Sequence, residues 1–511
     1  MKIIVQAGGL GSRMKALTAC KPKALIPVKN RPILFHLFEN CGLDDHDFIV
    51  IGDYKYDVLD RYITTFVKNR PVILVKASGK GNVAGIKQAL EYVSDNEKVL
   101  LIWSDLILPQ NFIEYLDQIN LYHGCAVGTV DFHCSWRMEK QKIIHQEGDK
   151  NGLAGVYLFE NKSLLSSLPE DGSFTTWLST QDIPMVGVHI KDCMDIGTIE
   201  AYRKIETQEF RCRPYNNIEI NVDSVIKTGL TNEAEQLIKR EILWYHKARE
   251  YGVANVPDLL ADTPLTLERI HGSNVFHTSL DDTQKEETLI KIVKALDNLH
   301  RFGKQPANSW DLYQEYFVKT ISRLQGIMFS IPFFGEKEIL INNKRCINIL
   351  QNTQLFRELV LNTLMKTHYC FYHGDCQLTN TLLDNTGKIY FIDPRGYFGK
   401  TKIYGDVRYD WAKLYYAICG NFDQFNVKNF ILDISEHEIS YKIGSGGWEF
   451  LENQFFSLLP KEESVEREIK LIHIIAWLSL ASHAWEDFDS MCVAFYNGTY
   501  LLQEWLETYY K

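Results

Sequence analysis

Residues 8–34 read GGLGSRMKALTACKPKALIPVKNRPIL and follow directly on the apolar run Ile3–Ala7. Glycines at Gly8, Gly9 and Gly11 let a chain leaving a strand turn tightly and bring backbone N–H groups up to an anion. Arg13 adds a planar cation that can grip phosphate through two hydrogen bonds. Lys21 and Lys23, either side of Pro22, add two more cations in a rigid loop. A strand-to-helix turn also needs small residues, so the loop gains meaning only from its surroundings.

Working outward, Ile3–Ala7, Phe48–Ile51, Val72–Ala77 and Val99–Ser104 read as buried strands. Between them Ile33–Cys41, Tyr54–Asn69 and Val83–Ser94 have helical length and polarity. This alternation predicts a mainly parallel sheet covered on both faces. The rhythm stops at a polar stretch with Pro214, so residues 1–205 are expected to form one domain, 206–217 a linker and 218–511 a second domain. After the linker come a strand pair, Ile218–Asn221 and Val225–Lys227, and a helix over Asn232–Tyr251. The remainder reads as largely helical, apart from a β-rich island at Tyr369–Asp393.

Composition sets the outer limits. The chain has 511 residues, 45% hydrophobic and 23% charged, with a net charge of −10. That is ordinary globular composition, and it excludes disordered and collagen-like classes. A dedicated nucleic-acid binder would carry a basic domain, and none is visible. Eleven cysteines without a CxxC pair exclude a ribbon or finger zinc site and predict reduced thiols. The N-terminus lacks a signal-peptide pattern. The apolar stretch Leu471–Trp485 is interrupted by His473, Ser479 and His483, and reads as a buried helix rather than a membrane span. A cytoplasmic protein with no membrane partner is expected; oligomeric state is not legible.

The pattern G-x-G-[ST]-R-x-x-x-L-T-x-x-x-P-K is met at every fixed position from Gly9 to Lys23. The string resembles the opening signature of the sugar-phosphate nucleotidyltransferases, a family that includes CTP:phosphocholine cytidylyltransferases. Later elements agree in order: Gly81–Ala89 resembles the helix entry beside the nucleobase, Asp105 follows a strand, Gly155–Phe159 resembles the acceptor-side strand, and Asp195-Ile196-Gly197-Thr198 matches D-[IV]-G-T. The resemblance implies a Rossmann-like α/β domain. It also implies that Gly8, Gly9, Gly11, Ser12 and Gly81 bind the nucleotide, Arg13 the departing β- and γ-phosphates, and Lys23 the phosphates near the reacting centre. Asp105 and Asp195 would hold Mg²⁺. A strand-end aspartate alone could equally cap a helix; the pair and the loop together favour the metal. One departure is Ser104, where the family usually has glycine. Trp136, Lys140 and Lys142 lie where an acceptor-binding stretch would run, but surface placement is the preferred reading for the lysines.

A second string, HGDCQLTNTLLDNTGKIYFIDPR at 373–395, places Asp375, Asn380 and Asp393 around a predicted hairpin. Phosphoryl transfer from ATP needs such a set: a carboxylate for the hydroxyl proton and oxygen ligands for Mg²⁺. The string resembles the signature of the aminoglycoside phosphotransferase and choline kinase superfamily, with Gln377 and Thr381 as departures. The resemblance implies a protein-kinase-like α+β domain in which Asp375 is the catalytic base and Asn380 and Asp393 ligate Mg²⁺. Lys227, at a strand end, would bind ATP phosphates. Glu241 lies in a helical stripe with Leu237, Ile238, Trp244 and Tyr245 and needs a partner; Lys227 is the natural one, with Glu235 the rival carboxylate. Leu267–Ile270, with Glu268, resembles the strand that lines the adenine. Asp406 and Asp410 resemble a structural tail.

The pairing implies consecutive steps. A small alcohol is phosphorylated by ATP, then a nucleotidyl group, CMP from CTP, is transferred to the phosphate, giving a CDP-alcohol for capsule or surface polysaccharide decoration. CTP is inferred from the short N-terminal region and the fusion. The alternatives are a sugar kinase joined to a sugar-1-phosphate nucleotidyltransferase, or one active domain beside a nucleotide-binding regulatory module. Aromatics from Trp477 to Tyr510 could cage a quaternary cation, but core packing is the preferred reading.

Overall fold

The runs Ile3–Val5, Phe48–Ile51 and Val99–Ile102 are almost fully excluded from solvent, as expected for strands covered on both faces. They form the centre of a nine-stranded sheet whose main path runs Lys142–Gly148, Cys134–Glu139, Gly152–Phe159, Val99–Trp103, Lys2–Gln6, Asp47–Gly52, Ile73–Lys76. Cys125–Val130 joins Gly152–Phe159 to Met185–His189 off this path. The last four strands of the path are parallel. Gly152–Phe159 is antiparallel to each of its neighbours and the edge pair is antiparallel too, while Met185–His189 lies parallel to Cys125–Val130, so the sheet is mixed rather than mainly parallel. The strand pair at the polar edge turns at Lys140 and Gln141, both with positive φ, and both lysines at 140 and 142 are exposed.

The computed structural model describes residues 1–68, 72–110, 112–117, 119, 121, 124–206, 215–461 and 464–510. They group into two units: Met1–Glu209 with Glu486–Asp489, and Phe210–Trp485 with Ser490–Lys511. Residues 207–214 of the expected linker lie outside the described residues. The described cysteines are free thiols. Among the described residues no helix is long and apolar enough to cross a membrane.

The second unit opens with a four-stranded antiparallel sheet, in the order Asn216–Ile220, Ser224–Gly229, Leu265–Glu268, Leu259–Asp262. The helix Asn232–Glu250 packs on it, started by the Thr231 hydroxyl accepting from the Ala234 N–H. Further along, the hairpin Thr381–Asp384 and Ile389–Phe391 pairs with Gly272–Asn274. His368–Phe371 pairs with Tyr404–Asp406. The helices Asp282–His300, Val407–Ile418 and Val465–His483 supply most of the remaining core. Trp477, Phe495, Tyr496 and Trp505 are buried, while Tyr510 is exposed.

Candidate functional site

The first site grows from two parallel strands that end side by side, Gln6 beside Trp103. In such sheets ligands bind beyond the carboxyl ends of the strands. Gly8 is buried and Gly9 exposed. Gly11 has φ +64°, and a Cβ there would press on Thr18 and on the Lys23 side chain; glycine thus lets the lysine stem lie against the loop. Ser12 and Arg13 are exposed on the turn that follows.

Asp105 and Asp195 are joined by backbone. Met194–Asp195 pairs with Leu106–Ile107, and the Ile196 N–H donates to the Asp105 carbonyl at 2.7 Å. Lys23 Nζ meets Asp105 Oδ2 at 2.8 Å, and the Gly197 N–H donates to Asp195 Oδ1 at 2.6 Å. Burial raises the Asp195 pKa, and the Asp105 charge raises it further. The Gly197 N–H, Lys23 and Arg13 pull it back. The two acids, Lys23 and Arg13 therefore share one electrostatic neighbourhood. Among the described residues no group of three or more His, Cys, Asp or Glu side chains is placed to hold a metal. Two hard carboxylates still suit Mg²⁺, which keeps waters and takes substrate phosphates as its other ligands.

Lys21 does not join this site. It is 1% exposed, and its ammonium lies 3.2 Å from Asp487 and 2.5 Å from Asp489. Burial alone would lower its pKa, but the two carboxylates outweigh it and hold the ammonium above its ordinary range. Lys21 is a structural cation rather than a phosphate ligand. Trp136 sits on the polar-edge strands against His145, ring centroids 4.6 Å apart.

Gly81 precedes the helix Asn82–Ala89 with φ +80° and ψ −177°, a conformation open essentially to glycine alone. A Cβ there would stand 2.2 Å from the Gly172 carbonyl oxygen. Gly81→Ala is expected to cost about 1–3 kcal/mol in backbone strain alone. It should lower the thermal midpoint of the first unit by several degrees, at about 2–4 °C per kcal/mol. An unchanged melting curve would contradict this account of the helix entry.

The second site lies wholly within the second unit. Lys227 Nζ bridges Glu241 Oε2 and Asp393 Oδ1, both at 2.8 Å. Glu235 instead accepts from the Gly229 N–H at 2.7 Å, which settles the choice between the two carboxylates. Burial opposes the Lys227 charge, but Asp393 and Glu241 outweigh it and hold its pKa above the ordinary range. Glu241 shares its buried stripe with Ile238, Trp244 and Tyr245, but Leu237 is 46% exposed and lies outside it. Glu268 is exposed at its strand end, and its carboxylate accepts from the Asp258 N–H at 3.2 Å.

Asp375 is placed by several contacts. Asp410, fully buried, accepts from the His373 and Gly374 N–H groups at 2.8 and 2.6 Å and meets His300 Nε2 at 2.9 Å. This fixes the backbone just ahead of Asp375. Asn380 Nδ2 donates to the carbonyl and to Oδ2 of Asp375, both at 3.0 Å, so these contacts use the amide nitrogen and not the amide oxygen. The Ile392 N–H donates to the Asn380 carbonyl at 3.0 Å and so ties the hairpin end, and Asp393, to Asn380. Thr381 is buried and its hydroxyl donates to the Gln377 carbonyl at 2.9 Å, so its polar departure from the motif is satisfied locally. The following turn is anchored by Arg395, 2.8 Å from buried Glu315.

Comparison with known proteins bears on the first site. Residues 3–133 match the family model of the MobA-like NTP transferase domain. The first unit carries an NTP transferase domain. The bifunctional protein GlmU of Methanocaldococcus jannaschii is 31% identical over 177 residues, covering 32% of this chain and 40% of that protein. The chain thus spans less than half the length of that relative. The glucose-1-phosphate cytidylyltransferase of Salmonella typhimurium is 29% identical over 212 residues, 35% of this chain and 80% of that enzyme. A solved CTP:phosphocholine cytidylyltransferase from Streptococcus pneumoniae is 20% identical, covers 40% of this chain and 97% of its own, and has a TM-score of 0.34.

The NTP transferase domain matched at 3–133 includes the glycine loop, Arg13, Lys23, Gly81 and Asp105. Asp195 lies beyond it and is brought in by strand pairing. Sequence reading missed Lys413, whose ammonium meets Asp375 Oδ1 at 2.8 Å. No motif marks it; only its place one helical turn after Asp410, which holds the loop, points to it. A cavity of about 580 Å³ in the second unit is lined by Tyr415, Tyr441, Lys470, His473, Asn497 and Trp505 among others, and by none of the residues discussed for either site.

Proposed function

We propose that this chain is a bifunctional enzyme, in which the second unit phosphorylates a small alcohol with ATP and the first unit transfers CMP from CTP to the resulting phosphate. The single observation that carries the reading is that each unit gathers its own carboxylates and a lysine: Asp105, Asp195 and Lys23 in one, and Asp375, Asp393, Glu241 and Lys227, with the amide of Asn380, in the other.

In the kinase step the alcohol oxygen bonds to the γ-phosphorus of ATP, the bridge to the β-phosphate breaks, and ADP leaves. Asp375 accepts the hydroxyl proton. Lys227, held by Glu241, binds ATP phosphates. In the transferase step a phosphate oxygen of the alcohol phosphate bonds to the α-phosphorus of CTP and pyrophosphate leaves. Arg13 and Lys23 offset the repulsion between the two anions, and the glycine loop with Ser12 and Gly81 cradles the nucleotide. Asp105 and Asp195 in one site, and Asn380 and Asp393 in the other, would hold Mg²⁺, which supplies charge neutralisation on the phosphates. Glu268 is assigned to the adenine side of the ATP site. The reactions are those of a cytoplasmic enzyme supplying activated groups for capsule or surface polysaccharide.

A second reading keeps the same chemistry with a sugar as acceptor. It is supported by relatives named for glucose 1-phosphate and for D-glycero-α-D-manno-heptose 1-phosphate. One assay separates the readings: the protein with Mg²⁺, ATP, each NTP and a panel of alcohols, sugars and their phosphates, followed by phosphorus NMR. A CDP-alcohol supports the first reading and an NDP-sugar the second. Pyrophosphate release with none of these acceptors, and no phosphorylated alcohol or sugar, rejects both.

A further inference from the structure

Burying a carboxyl without a partner is costly, so such groups in folded proteins call for an explanation. Asp423, on the short helix Phe422–Asn426, is 3% exposed. Neither of its oxygens has a hydrogen-bond partner of good geometry among the described residues. Among the described residues no backbone N–H caps it and no cation pairs with it at salt-bridge distance.

Its place is beside the proposed kinase centre. The Lys413 ammonium, 2.8 Å from Asp375, lies over the rings of Tyr416 and Phe422, 4.9 and 5.6 Å from their centroids. Those two rings stack at 4.5 Å, and Asp423 follows Phe422 directly. Burial pushes the Asp423 carboxyl up to about 7, the Thr379 hydroxyl and Lys413 pull it back, and Asp375 adds to the rise. Thr379 and Asp375 both belong to the loop that carries Asn380. On that same loop the Gln377 side-chain oxygen is also buried without a partner among the described residues.

The two Asp423 oxygens and the Gln377 oxygen, with only the Thr379 hydroxyl nearby as a donor, have acceptor capacity left for a ligand that brings donors. A quaternary ammonium group has none. The nearby ring faces of Tyr416 and Phe422 are already occupied by Lys413, so they offer no free face for such a cation.

We infer that Asp423 determines acceptor specificity in the second unit by accepting a hydrogen bond from the alcohol, which therefore carries a hydroxyl or N–H besides the hydroxyl that reacts. The inference rests on the kinase reading above and deepens it. Polyols, sugars and primary amino alcohols meet this requirement, and choline does not.

The test uses the full chain, Mg²⁺ and ATP, with glycerol, ribitol, glucose, ethanolamine and choline as acceptors and ADP release as readout. The wild type is expected to use one or more of the first four and to discriminate against choline. Asp423→Asn is expected to raise KM for the preferred acceptor by about tenfold or more. Because the asparagine keeps an oxygen for the Thr379 hydroxyl and removes a buried carboxyl, the thermal midpoint should stay the same or rise. Preference for choline, transfer to none of the other four, an unchanged KM in Asp423→Asn, or a midpoint lowered by several degrees would each overturn the inference. Failure of the wild type to bind ATP, read separately by calorimetry, would instead reject the kinase reading itself.

Discussion

Asp375→Asn is expected to lower the rate of alcohol phosphorylation by about 10²–10⁴-fold, the range that a positioned general base supplies. Pyrophosphate release from CTP and a supplied alcohol phosphate should stay at the wild-type rate. The substitution keeps the shape and the contact with Asn380 but removes the charge that Lys413 meets at 2.8 Å. The fold around it should persist, because Asp410, not Asp375, holds the preceding backbone N–H groups. Parallel assays of ADP and pyrophosphate check this. Phosphorylation that survives in Asp375→Asn would remove Asp375 as the base.

The second large effect belongs to Asp195. Asp195→Asn is expected to reduce pyrophosphate release by about 10²–10³-fold or more, comparable to losing one preorganised electrostatic contact at a reacting centre, and to leave ADP formation intact. Among the described residues Asp195 has no lysine at salt-bridge distance, whereas Asp105 pairs with Lys23. The asparagine retains an oxygen for the Gly197 N–H, so the local turn should survive. Steady-state rates over a Mg²⁺ titration check the assignment: the variant should need more Mg²⁺ for any residual rate. Wild-type pyrophosphate release at wild-type Mg²⁺ demand would remove Asp195 from the site.

The central strands of the first unit were legible because Ile3–Val5, Phe48–Ile51 and Val99–Ile102 are continuous apolar runs, the pattern of strands buried on both faces. The antiparallel edge was not. Cys134–Glu139 and Lys142–Gly148 are partly exposed and mixed in polarity, and their turn at Lys140–Gln141 takes positive φ without the Asn-Gly or Asp-Gly pair that usually announces it. The pairing of Lys227 with Glu241 could be anticipated, since a carboxylate among Ile238, Trp244 and Tyr245 needs a cation. Lys21 misled because it stands two residues from Lys23, while its carboxylate partners lie more than four hundred residues along the chain. Lys413 and Asp423 carry no spacing signal. Their roles depend on how the helices Val407–Ile418 and Phe422–Asn426 bring them up to the loop of Asp375, and that is tertiary information.

The most direct measurement of the central claim follows two labels into one molecule. The full chain is given Mg²⁺, an unphosphorylated alcohol that it accepts, ATP labelled at the γ-phosphate and CTP labelled at the α-phosphate. If two phosphate-handling centres act in succession, a single product carries both labels in equal amounts, with ADP and pyrophosphate released alongside. A nucleotide product bearing the CTP label alone, or a phosphorylated alcohol that never acquires it, would contradict the account.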